Sequence, residues 1–462
     1  MSKVVKTIVM LGVAVMLLVP LATVAPQNDP VQLRVMWFND ARESITLQQQ
    51  LDAFMEQNPG LEVELEQTGI EINEFLNCRI IGSGSPQYAE LGCEQTSDEP
   101  LPDLARTNTP GAFREHLLDI RPYLDDPDAW AANFNEGFLD SLRSPENPDG
   151  LHGYPVDVTV SAPFVNRTLW EEAGVPIPSD SSAEVTWEEW TKAAAQVQAA
   201  LSTQDREVFA IAMDRSGHRF WGPSLSLCAT YVDPADPESD VLIDTAGFRN
   251  ALQMFTVWHE QSLVPSEIWE GDGDTVVPAD QFFIDNQIAF YFSGNWQLNK
   301  FDSKIETFQW EAVPNPVGPC GQTGMVGGTA MIAMEWTEYP EEVVRLIEFL
   351  TQQENMEAFA RENLILSGHN AVNSMELDYN DNTGQLVVFQ EEISRAVPEA
   401  FALQYRTDTT IIHSTIREML VLYLQQNLPP DIIIDRMQEE IDRQRGVTRD
   451  EAPADAEAAD GA

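Results

Sequence analysis

Val31, Leu33, Val35 and Trp37 alternate with Gln32, Arg34, Met36 and Phe38, a period of two that predicts a strand over 31–38. Asn39-Asp40 turn the chain, and Leu47, Leu51, Phe54 and Met55 then recur at helical spacing. Asn58-Pro59-Gly60 stops that helix, and Leu61, Val63 and Leu65 alternate with glutamates in a second strand. A strand–helix–strand unit closes with a right-handed crossover, which sets the two strands parallel. Leu101–Arg106 is a short strand ending in the polar Thr107-Asn108-Thr109. Thr186-Trp187-Glu188-Glu189 is a capping box opening a helix to about Leu201. Val208–Met213 is a strand, and 246–263 is a long helix with Phe248, Leu252, Phe255 and Trp258 on one face. Pro340 starts a further helix, and two amphipathic helices near 410–427 and 430–445 follow.

Asp280–Trp296, DQFFIDNQIAFYFSGNW, organises the rest. A helix end over Gln281–Asp285 is punctuated by Asn286, and Ile288–Phe292 is an apolar run typical of a strand buried on both faces. Ser293-Gly294-Asn295 turns the backbone, presenting Trp296 beyond the strand's carboxyl end. Ligands bind there in open α/β sheets. Spacing alone favours a plainer role for Trp296, as a core tryptophan capping the sheet.

At 462 residues the chain exceeds one ordinary core, so two lobes of α/β class are expected. The formal charge of −49 excludes nucleic acid as a partner, because a phosphate backbone is repelled. It disfavours an anionic membrane surface for the same reason. Of 26 basic residues only Lys3, Lys6, Lys192, Lys300 and Lys304 are lysines, a surface suited to a saline or acidic exterior. Lys3 and Lys6 precede an apolar Ile8–Val19, with small residues at Ala22, Thr23 and Ala25, so 1–25 reads as a signal peptide or an N-terminal anchor. Cys78, Cys93, Cys228 and Cys320 fit an exported protein with disulfides. The Gly-rich stretch between them makes Cys78–Cys93 the first choice of three pairings, leaving Cys228–Cys320. No CxxC spacing supports a metal, and none is expected.

The Asp280–Trp296 stretch resembles the helix, "nGqaAM" strand and "GPW" signature of family 1 extracellular solute-binding proteins, the maltose-binding-like receptors of ABC sugar importers. HGYPVDVTVSAPFVNRTLWEEAGV at 152–175 is similar to that family's "GiPyd…yYNkdlfeeaGl", and Thr186–Glu189 to its "tWdE". Trp310–Met334, Pro340–Leu350 and LSGHNAV at Leu366–Val372 continue the likeness in the family's order. The resemblance implies a two-lobe periplasmic-binding-protein fold, with mixed sheets flanked by helices and a hinged inter-lobe cleft. It divides the chain into a first lobe over 31–156, a second over 157–312, a return to the first over 313–368, and C-terminal helices of the second over 369–447. The acidic tail, 448–462, is expected to be disordered.

The same resemblance places ligand contacts on strand ends. It implies Trp37, Phe38 and Asn39 after the first strand, Asn108 after the third, and Asp157 as an acceptor for sugar hydroxyls, with Asn166 structural. Trp221 and Trp296 are implied as aromatic platforms from the second lobe, and Asn370 as a contact in the last crossing. Trp269, in an acidic loop, is either a rim contact or merely exposed. Gly327-Gly328 lets backbone approach a ligand, or simply makes a tight turn.

An enzyme needs a nucleophile, a metal or a selected acid–base pair, and GxSxG, HExxH, P-loop and GxGxxG patterns are missing from the sequence. The expected function is a non-catalytic, monomeric, extracytoplasmic receptor, without cofactor, that closes on a sugar or oligosaccharide and docks on the membrane permease subunits of an ABC importer. A polyamine or other small-solute receptor of the same fold is the alternative, and a secreted glycoside hydrolase a more distant one.

Overall fold

The computed structural model describes residues 30–38, 42–68, 72–82, 100–143, 147–233, 239–271, 275–373, 375, 384–404, 406 and 408–447. The segment 1–25, Asn39, Cys93 and the tail 448–462 lie outside these residues. The strands are β1 (Val31–Phe38), β2 (Leu61–Thr68), β3 (Leu104–Thr107), β4 (Gly153–Val165), β5 (Phe209–Met213) and β6 (Ile288–Gly294), followed by β7 (Glu311–Ala312). A small hairpin, β8 (Val317–Gly318) and β9 (Gly321–Gln322), precedes β10 (Val326–Ala333) and β11 (Leu366–Ser367).

The order β2-β1-β3-β10-β4-β6-β5 makes one path through two lobes. β1 and β2 are parallel, as the alternating pattern and crossover predict. β4 is the bridge. Its first part, from Gly153 to Val160, pairs antiparallel with β10, and Ser161–Val165 pairs with β6. Pro155 cannot donate to a ladder, and the β4–β10 register shifts beside its partner Ala330. Where β6 ends, the Asn295 side chain continues its work: Oδ1 accepts from Val160 N at 2.8 Å and Nδ2 donates to Val158 O at 3.2 Å.

Two cores flank this bridge. Trp37, Leu51, Phe54, Val156, Met331 and Ile347 belong to the first-lobe core, and Val160, Trp190, Phe248, Trp258 and Phe290 to the second. Val313, Met325 and Val326 pack in the second core, and Ala330 in an apolar cluster with Met36 and Ala105. Val372 lies in the first core.

Local chemistry fixes the elements that carry the cleft. Every residue of β6 is buried, and the capping box forms with Thr186 Oγ1 accepting from Glu189 N. Asn166 accepts from Leu169 N and donates to Asn286 Oδ1, a structural role as expected. Cys228 and Cys320 are bonded, tying the end of the helix Gly217–Ser226 to the β8–β9 hairpin. Cys78 is also disulfide-bonded, its expected partner Cys93 lying outside the described residues.

Candidate functional site

Where β4 and β10 pass between the lobes, a cleft opens with about 210 Å³ available to the centres of water-sized molecules. Phe38, Arg106, Asn108, Thr109, Asp157 and Gly328 stand on the first-lobe side, and His218, Arg219, Trp296, Asn299, Gln404 and Thr409 on the second.

Arg106, on β3, anchors the first wall. Its guanidinium carbon lies 4.4 Å from the Trp37 ring centroid and 4.3 Å from that of Phe38. Nη1 pairs with Glu43, Nε donates to Thr329 Oγ1 at 2.9 Å, and Nη2 is 3.6 Å from Asp157 Oδ2. Asp157 Oδ1 in turn accepts from Thr329 N and Oγ1, both at 2.7 Å. The carboxylate therefore spends Oδ1 on β10 and faces Arg106 with Oδ2. Buried ions need such pairing. Gly328 sits at φ 153° with Asp157 O so close that a Cβ would lie 2.4 Å from it, so only glycine lets β10 approach β4 here.

The second wall turns on Arg219. Its Nη1 donates to Ser161 Oγ at 2.8 Å and to His218 Nδ1 at 2.7 Å, and its Nε lies 3.5 Å from Asp214 Oδ2. Arginine only donates, so His218 Nδ1 accepts and Nε2 carries the proton, donating to Gln404 Oε1 at 2.8 Å. Burial first, then the neighbouring Arg219 and His413, holds His218 well below the usual imidazole range and neutral. Asp214 also accepts from Tyr291 and Ser293, while burial pushes its carboxyl up. Trp296 follows β6 in a 3-10 turn, Asn295–Gln297, and the Arg219 carbon lies 3.9 Å from its ring centroid.

Of the residues expected from the sequence, Phe38, Asn108, Asp157, Trp296, Gly327 and Gly328 line this cleft. Four of the others do not. Trp37 is 1% exposed and points into the first-lobe core against Phe359, because strand neighbours face opposite sides and Phe38 takes the cleft side. Trp221 is fully buried inside the helix Gly217–Ser226, beside Tyr231 and His413. Asn370 is exposed at 370–373 and donates to Ala132 O. Trp269 is buried too, with Nε1 donating to Met213 O at 3.1 Å, so it is neither rim nor surface. Gly327-Gly328 lies within β10 rather than in a turn before it. Arg106, Arg219, His218 and Asn299 went unnoticed because no local pattern marks them; only sheet order brings them together.

Several buried polar atoms around the cleft have no hydrogen-bond partner among the described residues. They are both amide atoms of Asn299, Oδ1 of Asn363, and the hydroxyls of Thr109 and Thr409. Among the described residues no group of three or more His, Cys, Asp or Glu could hold a metal, and no helix is long and apolar enough to cross a membrane.

A cleft between two lobes joined by crossing strands, lined with open hydrogen-bonding groups, defines a two-lobed binding protein. The chain belongs to the bacterial extracellular solute-binding proteins, whose description matches residues 49–368, and it is extracytoplasmic and non-catalytic. A binding protein of Brucella abortus (strain 2308) is 21% identical over 313 residues, 65% of this chain and 70% of that one. The ABC substrate-binding protein Lmo0181 from Listeria monocytogenes, solved in complex with cycloalternan, superposes with a TM-score of 0.73 at 16% identity, covering 91% of this chain and 100% of that one. The GacH receptor of Streptomyces glaucescens, solved unliganded and with acarbose, gives 0.69 at 15% identity over 90% of this chain and 98% of that one. MalE from Bdellovibrio bacteriovorus bound to maltotriose gives 0.69 at 15% identity over 90% and 100%.

Proposed function

We propose that this protein binds a sugar or oligosaccharide between its lobes and delivers it to an ABC importer. The observation that carries this is the half-buried indole of Trp296 in one cleft with polar atoms that have no partner among the described residues: both amide atoms of Asn299, Asn363 Oδ1 and the hydroxyls of Thr109 and Thr409. An indole backed by Arg219 and set among directional donors and acceptors suits a pyranose, and the sugar complexes of the structural relatives support the reading. The polyamine alternative fits less well, since Asp157 and Glu43 face Arg106, and Asp214 faces Arg219. We take the lobes as meeting near 156–157, with the chain acting as a monomer, exported by its N-terminal segment and docking on permease subunits. The test is isothermal titration of the purified protein with maltose, maltotriose, putrescine and spermidine, with product analysis of the sugars over hours. Saturable heat with an oligosaccharide alone is expected. Heat only with the amines, or hydrolysis, overturns the proposal.

A further inference from the structure

We infer that Asn299 reads two neighbouring hydroxyls of the sugar ring lying at Trp296, and so decides which sugars the cleft accepts; this rests on the receptor reading above. Trp296 occupies the turn Asn295–Gln297, and Asn299 the first turn of the helix Leu298–Lys304 that continues it. Residues three apart share a helical face, and both side chains line the cleft.

Asn299 is 5% exposed, yet neither Nδ2 nor Oδ1 has a partner among the described residues. Leaving a buried amide unpaired costs stability, and an apolar side chain of similar size would avoid it. Asn295, four residues earlier, shows the ordinary solution, with both amide atoms bonded to β4 backbone. The two asparagines thus divide the work: one holds the crossing strand, the other keeps a donor and an acceptor for the cleft. A planar amide offering both fits adjacent hydroxyls, one accepting from Nδ2 while its neighbour donates to Oδ1. Sites built this way reject analogues that lack the hydroxyl far better than apolar pockets do. Asn363 Oδ1 and the Thr109 hydroxyl, on the opposite lobe, leave further capacity for the ring's remaining groups.

The experiment uses Asn299→Leu and Asn299→Asp with maltotriose, cellobiose and lactose as probes, followed by calorimetry and by thermal midpoint without sugar. The Leu variant should melt higher than wild type without sugar, yet bind the preferred probe about 10- to 100-fold more weakly and discriminate less among the three. The Asp variant, keeping an acceptor, should fall between. Wild-type binding that Asn299→Leu leaves unchanged, or a lower midpoint with unchanged ranking, makes Asn299 a packing residue and overturns the inference alone. A wild-type protein that binds none of the three while binding an amine overturns the receptor reading and the diol with it.

Discussion

The guanidinium of Arg219 covers Trp296, 3.9 Å from the ring centroid, while on Gly294 a methyl would come within 1.9 Å of the same indole. The protein thus holds the ring in place by its own cation and backbone. Replacing Trp296 by Ala forfeits a desolvated cation–π contact of about 2 kcal/mol. If the indole also covers roughly 60–100 Å² of sugar, about 1.5–2.5 kcal/mol of affinity goes with it, a ten- to hundredfold loss. Calorimetry and thermal midpoint on the one variant separate the two terms. A large midpoint loss with unchanged affinity would make Trp296 purely a packing residue.

Arg106 is 2% exposed and sits against Glu43 and Asp157. Truncating it to Ala leaves two carboxylates buried without their cation, and removing one partner of a buried pair costs roughly 3–5 kcal/mol. Urea unfolding of Arg106→Ala should show that loss. Stability within about 0.5 kcal/mol of wild type would mean that the wall is not built on this residue.

Acid should loosen the second wall. Burial, then Arg417 and Arg219, pushes His413 down to about 4, and His218 is lowered for similar reasons. Unfolding releases both to the usual value near 6.5, so the unfolded chain takes up protons first and stability falls as pH drops from about 6.5 towards 4. Asp214, raised by burial, works in the opposite sense and offsets part of this. For His413 alone the full swing is on the order of 3 kcal/mol. Denaturant unfolding at pH 7 and 4.5 should show a shallower loss in His413→Gln; parallel curves would refute the assignment.

A formal charge of −49 predicts a melting temperature that rises with added salt at neutral pH, as screening relieves self-repulsion. Thermal scans from low to molar salt test this, and a flat response would count against it.

The fold was legible where periodicity and punctuation are strong. Ile288–Phe292 marks β6, which runs on through Ser293 and Gly294 where a turn was expected, so that the chain turns only at Asn295–Gln297 and there presents Trp296; Thr186 with Glu189 marks a helix start. Alternation put Trp37 and Phe38 on opposite faces of β1 without telling which face meets the cleft, since both are large and aromatic. Trp221 was singled out by the resemblance alone, and the helix Gly217–Ser226, which continues through Pro223, buries it among its neighbours. Arg106 and Arg219 belong to strands and helices whose proximity depends on β10 pairing beside β3 and β4, a long-range fact that no local pattern carries.

That pairing also orders events during synthesis. β10 lies between β3 and β4, yet it is made only after the long stretch of the second lobe between β4 and β9. At 5–20 residues per second, on the order of ten to thirty seconds separate the end of β4 from the end of β10. Throughout that interval β3 and the first part of β4 lack the strand that joins them, each offering an unpaired edge. The first lobe therefore cannot close its sheet while most of the chain is still being made. Until then the nascent chain carries, on β3 and β4, open strand edges that can template pairing with another chain.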